Sequence, residues 1–463
     1  MGRYGSHARA TAASRVLENC PLERARNTMI EFLTVENGPT DLPIRLTANG
    51  VTVPKGDLGA MHASRQRAVV NQVRKAILAE QLGFHYFFMT EHHFQPEGAE
   101  FSPNPLLMSA AIATRTRRLR IGQLANILPW HHPVRLAEQA AMVDVLSGGR
   151  LEFGVGRGAQ PRETEVFGQV YGSTAGDEMR SRAYYDECLE IIIKAWTEPS
   201  FSYQGQFYTI PPTWTPHHHP MTIEYFSQPE VGRRVEDVLQ LGEPTGVPSG
   251  IRSHATRLKE LSVFPQPLQK PHPQLWQPNV RNMSSLRRSA RAGINVIFLT
   301  IEPDRVREEV EAYHQEAEKS GFPDYRQRGA FRYGWDSERK RGVVHAAEVY
   351  IVDHGIGSRE QFELAGQHLW GYLGGFAPPS ATGGPPVHRP RLCGSVQQLV
   401  DEIMRVKEIG QYDDFPCGVL FGGPGCTWEE EQEQMHAFAD EIMPVLAREC
   451  GGTPELPAPE VEW

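Results

Sequence analysis

Eight short apolar runs, each ending in polar or small residues, set the tightest limit on how this chain can fold. They are Ile30 to Val35, Phe84 to Thr90, Leu119 to Asn126, Leu151 to Gly156, Gln274 to Asn279, Asn295 to Thr300, Val343 to Val352, and Cys417 to Phe421. Between the first two lies the stripe Val69, Val73, Ala76, Ile77, and after the fourth comes Tyr184, Cys188, Ile191, Ile192, Ala195. Both stripes repeat at the spacing of a helix that buries one face. Strands alternating with helices imply a parallel sheet, and eight strands are enough to close one on itself. The fold class read from this pattern is α/β, a (β/α)8 TIM barrel with insertions at the barrel mouth. The fifth run is the least regular, because Pro278 cannot donate to a central ladder. Ser395 with Gln398, and Thr427 with Glu430, have capping-box spacing and start two late helices.

At 463 residues the chain exceeds an ordinary domain, but an enlarged barrel accommodates this length. Residues 1–28 are rich in Arg, Ala and Ser and lack the apolar stretch of a secretory leader, so they read as an N-terminal extension. The barrel is expected over 29–447, followed by a C-terminal tail at 448–463. Residues 211–273 break the rhythm with Pro-Pro, a His217-His218-His219 run and only a short helical signal near Val231 to Leu241. They are read as an insertion, and a second excursion runs from Ala365 to Pro390; both are expected to cover the barrel mouth.

Charge narrows the partners. Forty-seven basic against 56 acidic residues give a net charge of −9 without a basic block, so neither nucleic acid nor an anionic membrane is expected. No apolar run reaches the length of a membrane span. The cysteines Cys20, Cys188, Cys393, Cys417, Cys426 and Cys450 show no C-x-x-C spacing and read as reduced structural thiols of a cytoplasmic protein.

Chemistry is expected where the strands end. The second run ends in Glu91-His92-His93-Phe94, which places imidazole, the side chain that exchanges protons near neutrality, at a strand terminus. While the backbone stays extended, only one of the two histidines can point into the mouth. The fourth run, Phe153-Gly154-Val155-Gly156, is followed by Arg157 and Gly158. Small residues let a ligand approach the backbone, and a guanidinium can grip phosphate oxygens. The same arginine in a surface ion pair with Glu163 or Glu165 is the competing reading. The glycines do not match the dinucleotide fingerprint. Asn282-Met283-Ser284-Ser285 opens a helix after the fifth run, as an ordinary cap or as an anion site. The third run ends in Gln123-Leu124-Ala125-Asn126.

These segments, from Gly83 to Gly158 above all, resemble the bacterial luciferase-like flavin-dependent monooxygenases, and among them the alpha subunit of luciferase. The resemblance spans 29–210 and 262–447. It implies a barrel that binds FMN in its reduced form, supplied by a separate flavin reductase, and uses O₂ to oxygenate a small organic substrate, an aldehyde or similar, through a C4a-peroxyflavin. It implies His92 as catalytic with His93 in support. It implies flavin contacts from Glu91, Leu124, Ala125 and Asn126, with an unusual cis peptide at Leu124-Ala125. Phosphate contacts fall to Arg157, Asn282, Ser284 and Ser285. A homodimer is implied, and no metal. Gly156 stands where luciferase carries a reactive cysteine, so that thiol chemistry does not transfer.

Three rivals share parts of this pattern. An F420-dependent oxidoreductase of the same fold transfers hydride and consumes no oxygen. A non-catalytic flavin-binding partner subunit is disfavoured by the presence of both His92 and His93. A metal-dependent hydrolase is prompted by 18 histidines, but the chain lacks an H-E-x-x-H helix.

Overall fold

A computed structural model describes residues 29–158, 160–171, 177–242, 249–250, 255–279, 282–299, 301–321, 342–355, 357–374 and 391–455. The 1–28 extension, Arg281, residues 375–390 of the second excursion and 456–463 of the tail lie outside them.

All eight runs form strands: β1 Ile30–Glu36, β2 Tyr86–Met89, β3 Arg120–Gln123, β4 Leu151–Gly156, β5 Gln274–Asn279, β6 Asn295–Phe298, β7 Val343–Ile351 and β8 Phe415–Leu420. Each pairs in parallel with the next, and β1 pairs with β8, so the sheet closes into a barrel. Around it lie α1 Leu58–Gln81, α2 Pro105–Ala113, α3 Pro133–Ser147, α4 Pro161–Tyr171, α5 Glu178–Thr197, α6 Met283–Arg291, α7 Pro303–Lys319, α8 Arg359–Gly374, α9 Val396–Gly410 and α10 Trp428–Ala437. Local chemistry sets their ends. Pro133 occupies the first turn of α3, where its missing N–H costs nothing, and Gly148 ends that helix in the left-handed region at φ 66°. Both expected capping boxes form, at Ser395 and Thr427.

Alternation along each strand divides the core into two shells. Leu33, Val35, Tyr86, Phe88, Trp276, Ile297, Val344 and Leu420 fill the lumen, while Phe32, Phe87, Ile121, Val296 and Val419 pack outward against helices. The rings of Phe88 and Trp276 meet edge to face at 5.0 Å. Burying each such side chain contributes on the order of 2–3 kcal/mol. Gly122 is required here, because a Cβ on it would lie 2.1 Å from the Phe88 ring. At the amino-terminal end of the lumen, Arg120 is ion-paired with Glu152, and Tyr86 Oη donates to Glu31 at 3.3 Å.

Pro278 is accommodated because β4 pairs with β5 only across Gln274–Trp276, which leaves Pro278 beside β6 alone. The connection between α5 and β5 begins and ends at the amino-terminal face. Gln266 donates to the Glu198 carbonyl at 2.9 Å, and Gln269 donates to the Asp144 carboxylate at 2.7 Å, both far from the strand ends that carry His92. The short helix expected near Val231 to Leu241 is a single turn, Val235–Val238, that passes directly into a strand, Leu239–Leu241, paired with Thr256–Leu258. β-branched and leucine side chains there favour the hairpin. What reaches the mouth is α8, which follows β7.

Candidate active site

Beyond Met89 the chain leaves the barrel wall, and His92 forms an isolated antiparallel bridge with Ser102. That bridge folds residues 93–101 back over the strand ends and sets Glu100 beside His92. His92 Nε2 lies 3.2 Å from Glu100 Oε1, and Nδ1 lies 3.5 Å from Glu163 Oε1. Glu163 comes from the first turn of α4, whose Pro161 start fixes its direction. Gln160 Nε2 donates to Glu100 Oε2 at 3.2 Å, and Gln95 Nε2 donates to Gln160 Oε1 at 3.1 Å. Tyr372 of α8 donates its hydroxyl hydrogen to Gln160 Oε1 at 3.1 Å. His368, one helical turn earlier, contacts the Glu97 carbonyl at 2.7 Å.

Burial works against a charge on His92, but the Glu100 carboxylate, with Glu163 behind it, outweighs that penalty and pushes the imidazole up to about 10. The ring is therefore an imidazolium at neutral pH. A raised pKa in the folded state means the stabilisation is complete below the unfolded value and is lost as pH climbs through about 10. Replacing Glu100 with Gln is expected to bring the His92 ionisation down by at least about one unit, since one nearby charge is typically worth that much. Imidazole chemical shifts followed against pH test this; an unmoved titration contradicts the clamp.

His93 occupies a different setting. Its ring packs on Phe167 at 4.7 Å and Trp130 at 5.4 Å, and its Nε2 lies 3.4 Å from Glu91 Oε1. Glu91 is buried, yet the His131 imidazole at 3.0 Å and the Ile127 N–H at 2.6 Å offset its desolvation and hold the carboxyl below its usual range. It ties the end of β2 to the loop after β3. In that loop the Leu124–Ala125 peptide is cis. Leu124 joins the lumen cluster, and the buried Asn126 amide donates to Gln123 Oε1 and the Gly154 carbonyl at 3.1 and 2.9 Å. Asn126 thus turns its N–H groups into the barrel wall.

Arg157 leaves β4 with its side chain one-third exposed and lies 3.3 Å from Glu178 Oε1 at the start of α5. Its carboxylate partner is thus Glu178, while Glu163 faces His92. On the neighbouring strand end, Asn282 Oδ1 accepts the N–H groups of Ser284 and Ser285, both at 3.1 Å, and Ser285 Oγ accepts from Gln277 at 3.2 Å. Arg157 and the start of α6 therefore flank the seam between β4 and β5. A guanidinium, the Ser285 hydroxyl and a helix N-terminus are donors suited to a phosphate dianion, while the Ser284 hydroxyl donates to Asn282 Oδ1 at 2.9 Å. The buried Thr90 Oγ1 beyond β2 and Trp130 Nε1, whose ring packs on His93, have no hydrogen-bond partner, as expected where a polar ligand completes the wall. The residues present thus fit FMN.

The expected histidines and phosphate contacts occupy two stations on the same rim. Glu100, Glu163, Gln95, Gln160 and Tyr372 were missed. The acids of Gln95-Pro96-Glu97-Gly98-Ala99-Glu100 were visible directly after the His pair, but not their direction. The His217 to His219 run is used locally: His217 contacts Thr222 Oγ1 at 2.9 Å, and His219 accepts the Met221 N–H at 3.2 Å. Among the described residues no helix is long and apolar enough to cross a membrane.

Residues 50–231 match the family model described as luciferase-like monooxygenase. An uncharacterized protein of Sinorhizobium fredii, y4wF, is 37% identical over 172 residues, 36% of this chain and 48% of that protein. The oxygenase component of the flavin-dependent trigonelline monooxygenase of Acinetobacter baylyi is 32% identical over 137 residues, 29% of this chain and 36% of that protein. In these alignments the chain spans less than half the length of either relative. The oxygenating constituent of 3,6-diketocamphane monooxygenase from Pseudomonas putida, solved in complex with FMN, superposes with a TM-score of 0.58 at 18% identity. That alignment covers 90% of this chain and 98% of that one, and it shows the shared fold.

Proposed function

We propose, starting from a chain whose residues 50–231 match luciferase-like monooxygenases, that this protein is the oxygenase of a two-component system. It takes reduced FMN from a reductase and uses O₂ to oxygenate a small organic substrate. The observation that carries the reading is His92, set between the Glu100 and Glu163 carboxylates at the end of β2, within the matched segment. FMN, when bound, supplies the oxygen-activating chemistry. The chain's own residues do the rest. Arg157, Asn282, Ser284 and Ser285 would hold the FMN phosphate, and the Leu124–Ala125 segment would bound the pocket for its ring. His92 keeps a proton at Nε2 against Glu100 and lends it to an oxygen that gains basicity in the mouth. The loop 93–101 and α8 limit the entry of bulk water there.

Anaerobic titration of the protein with reduced FMN tests the first half of this reading, and substrate-dependent O₂ uptake tests the second. Arg157→Ala is expected to weaken reduced-FMN binding about tenfold to a hundredfold, the worth of a charged hydrogen bond. No binding to the unaltered protein moves the reading to F420 or to a non-catalytic partner subunit.

A further inference from the structure

A second cavity, about 660 Å³ of empty space counted with its opening to solvent, lies on the β7–β8 side of the rim, between Val349 and Tyr350 of β7, Phe362 and Ala365 of α8, and the loop Gly422–Cys426 with Ile44. It shares none of its lining residues with the His92 cluster or with the Arg157 and Asn282 station. Its wall is firm. Phe362 is held between the Arg391 guanidinium, 3.4 Å from its ring centre, and the Tyr350 ring, stacked at 5.1 Å.

Charge sets the chemistry of the occupant. No lysine or arginine is among the residues that line the cavity, and the one charged lining residue is Glu430. Glu430 Oε2 accepts the Thr427 N–H and hydroxyl at the start of α10. Its other oxygen converges with Gln361 Oε1: a Cβ built on Gly357 would stand 2.9 and 3.1 Å from the two. A carboxylate or phosphate entering here would meet a second anion, because the neighbouring guanidinium, Arg391, stands against the Phe362 ring and is already paired with Glu348. A hydroxyl or amide N–H would meet two acceptors.

Position links the cavity to the chemistry. Ala365, His368 and Tyr372 follow one another at three- and four-residue spacing and so share one face of α8. The first lines the cavity, and the other two bond to Glu97 and Gln160 of the His92 surroundings. From Ala365 to Tyr372 the helix rises about 10 Å.

We propose that this cavity binds a neutral, mainly hydrocarbon molecule bearing one hydrogen-bond donor, and that it seats the body of the organic substrate. The substrate assignment rests on the oxygenase reading; the binding assignment does not.

The test is displacement of the neutral dye N-phenyl-1-naphthylamine from the full chain without flavin, by octan-1-ol and by octanoate at pH 8. Octanol is expected to compete at one site at least about tenfold more tightly than octanoate. Ala365→Phe fills the cavity and is expected to weaken octanol about tenfold or more, with reduced-FMN affinity unchanged. Ile44→Trp narrows the entrance and gives the same readout should Ala365→Phe fail to fold. Glu430→Gln keeps the helix cap, since glutamine also serves there, and is expected to shrink the octanol preference several-fold. Equal binding of octanol and octanoate, or octanol affinity unmoved by both cavity variants, overturns the proposal. Failure of the unaltered protein to bind FMN would count against the oxygenase reading alone.

Discussion

Substitution of His92 by Gln is expected to lower substrate-dependent O₂ consumption by about 10²- to 10⁴-fold, the usual worth of a positioned proton donor, with reduced-FMN affinity changed far less. Glutamine can still reach Glu100 or Glu163 through its amide, so the loop 93–101 keeps its anchor, but it has no proton to lend. Ordinary geometry for the imidazole requires only one carboxylate; here two face it from different elements, at 3.2 and 3.5 Å. The pH profile separates this role from a structural one. In the unaltered protein, activity should hold through neutrality and fall as pH approaches about 10, where the imidazolium is lost. Activity of the Gln variant should show no such limb. Activity within a few-fold of the unaltered protein would remove His92 from proton handling.

Lys75→Met is expected to cost about 3–5 kcal/mol of folding stability, the penalty for leaving buried charge uncompensated. Lys75 is 2% exposed, contacts Glu36 at the end of β1, and lies 2.9 Å from Glu431 of α10. Burial alone disfavours its charge, but Glu36 and Glu431 override this and keep the amine protonated. Two carboxylates around one ammonium leave a net negative centre, and burial pushes Glu431 up to about 7 despite Lys75. An acid whose pKa is raised by folding loses stability as it ionises, so the variant should be least stable above pH 7 and recover toward pH 5. Adding Glu36→Gln and Glu431→Gln should restore more than half the loss, because an uncharged cluster has no desolvation debt. Urea midpoints at pH 5 and 8 measure both effects; a single variant within about 1 kcal/mol of the parent contradicts the argument.

The barrel was legible because its strands are buried on both faces and therefore read as near-continuous apolar runs. Even Pro278, which argued against β5, fitted once β4 was seen to release the strand after Trp276. The His pair was legible as two imidazoles at a strand end. Its partners were not, because Glu100, Glu163 and Tyr372 arrive from a folded-back loop and two helices, and sequence shows a carboxylate without its direction. The competing reading of Arg157, a surface ion pair, holds in kind but with Glu178 as the acid, while Glu163 faces His92. The connection 211–273 runs between α5 and β5. A segment between a helix and the next strand is rooted on the face away from the strand ends, and Gln266 and Gln269 hold it there.

The lumen itself bears on traffic. With Tyr86, Phe88 and Trp276 wholly buried in its interior, the barrel is a vessel stopped at one end. A molecule bound at the rim therefore reaches its place from the mouth side and cannot pass through the barrel, so filling the lumen further should leave ligand exchange unchanged, while bulk added at the strand ends should slow it.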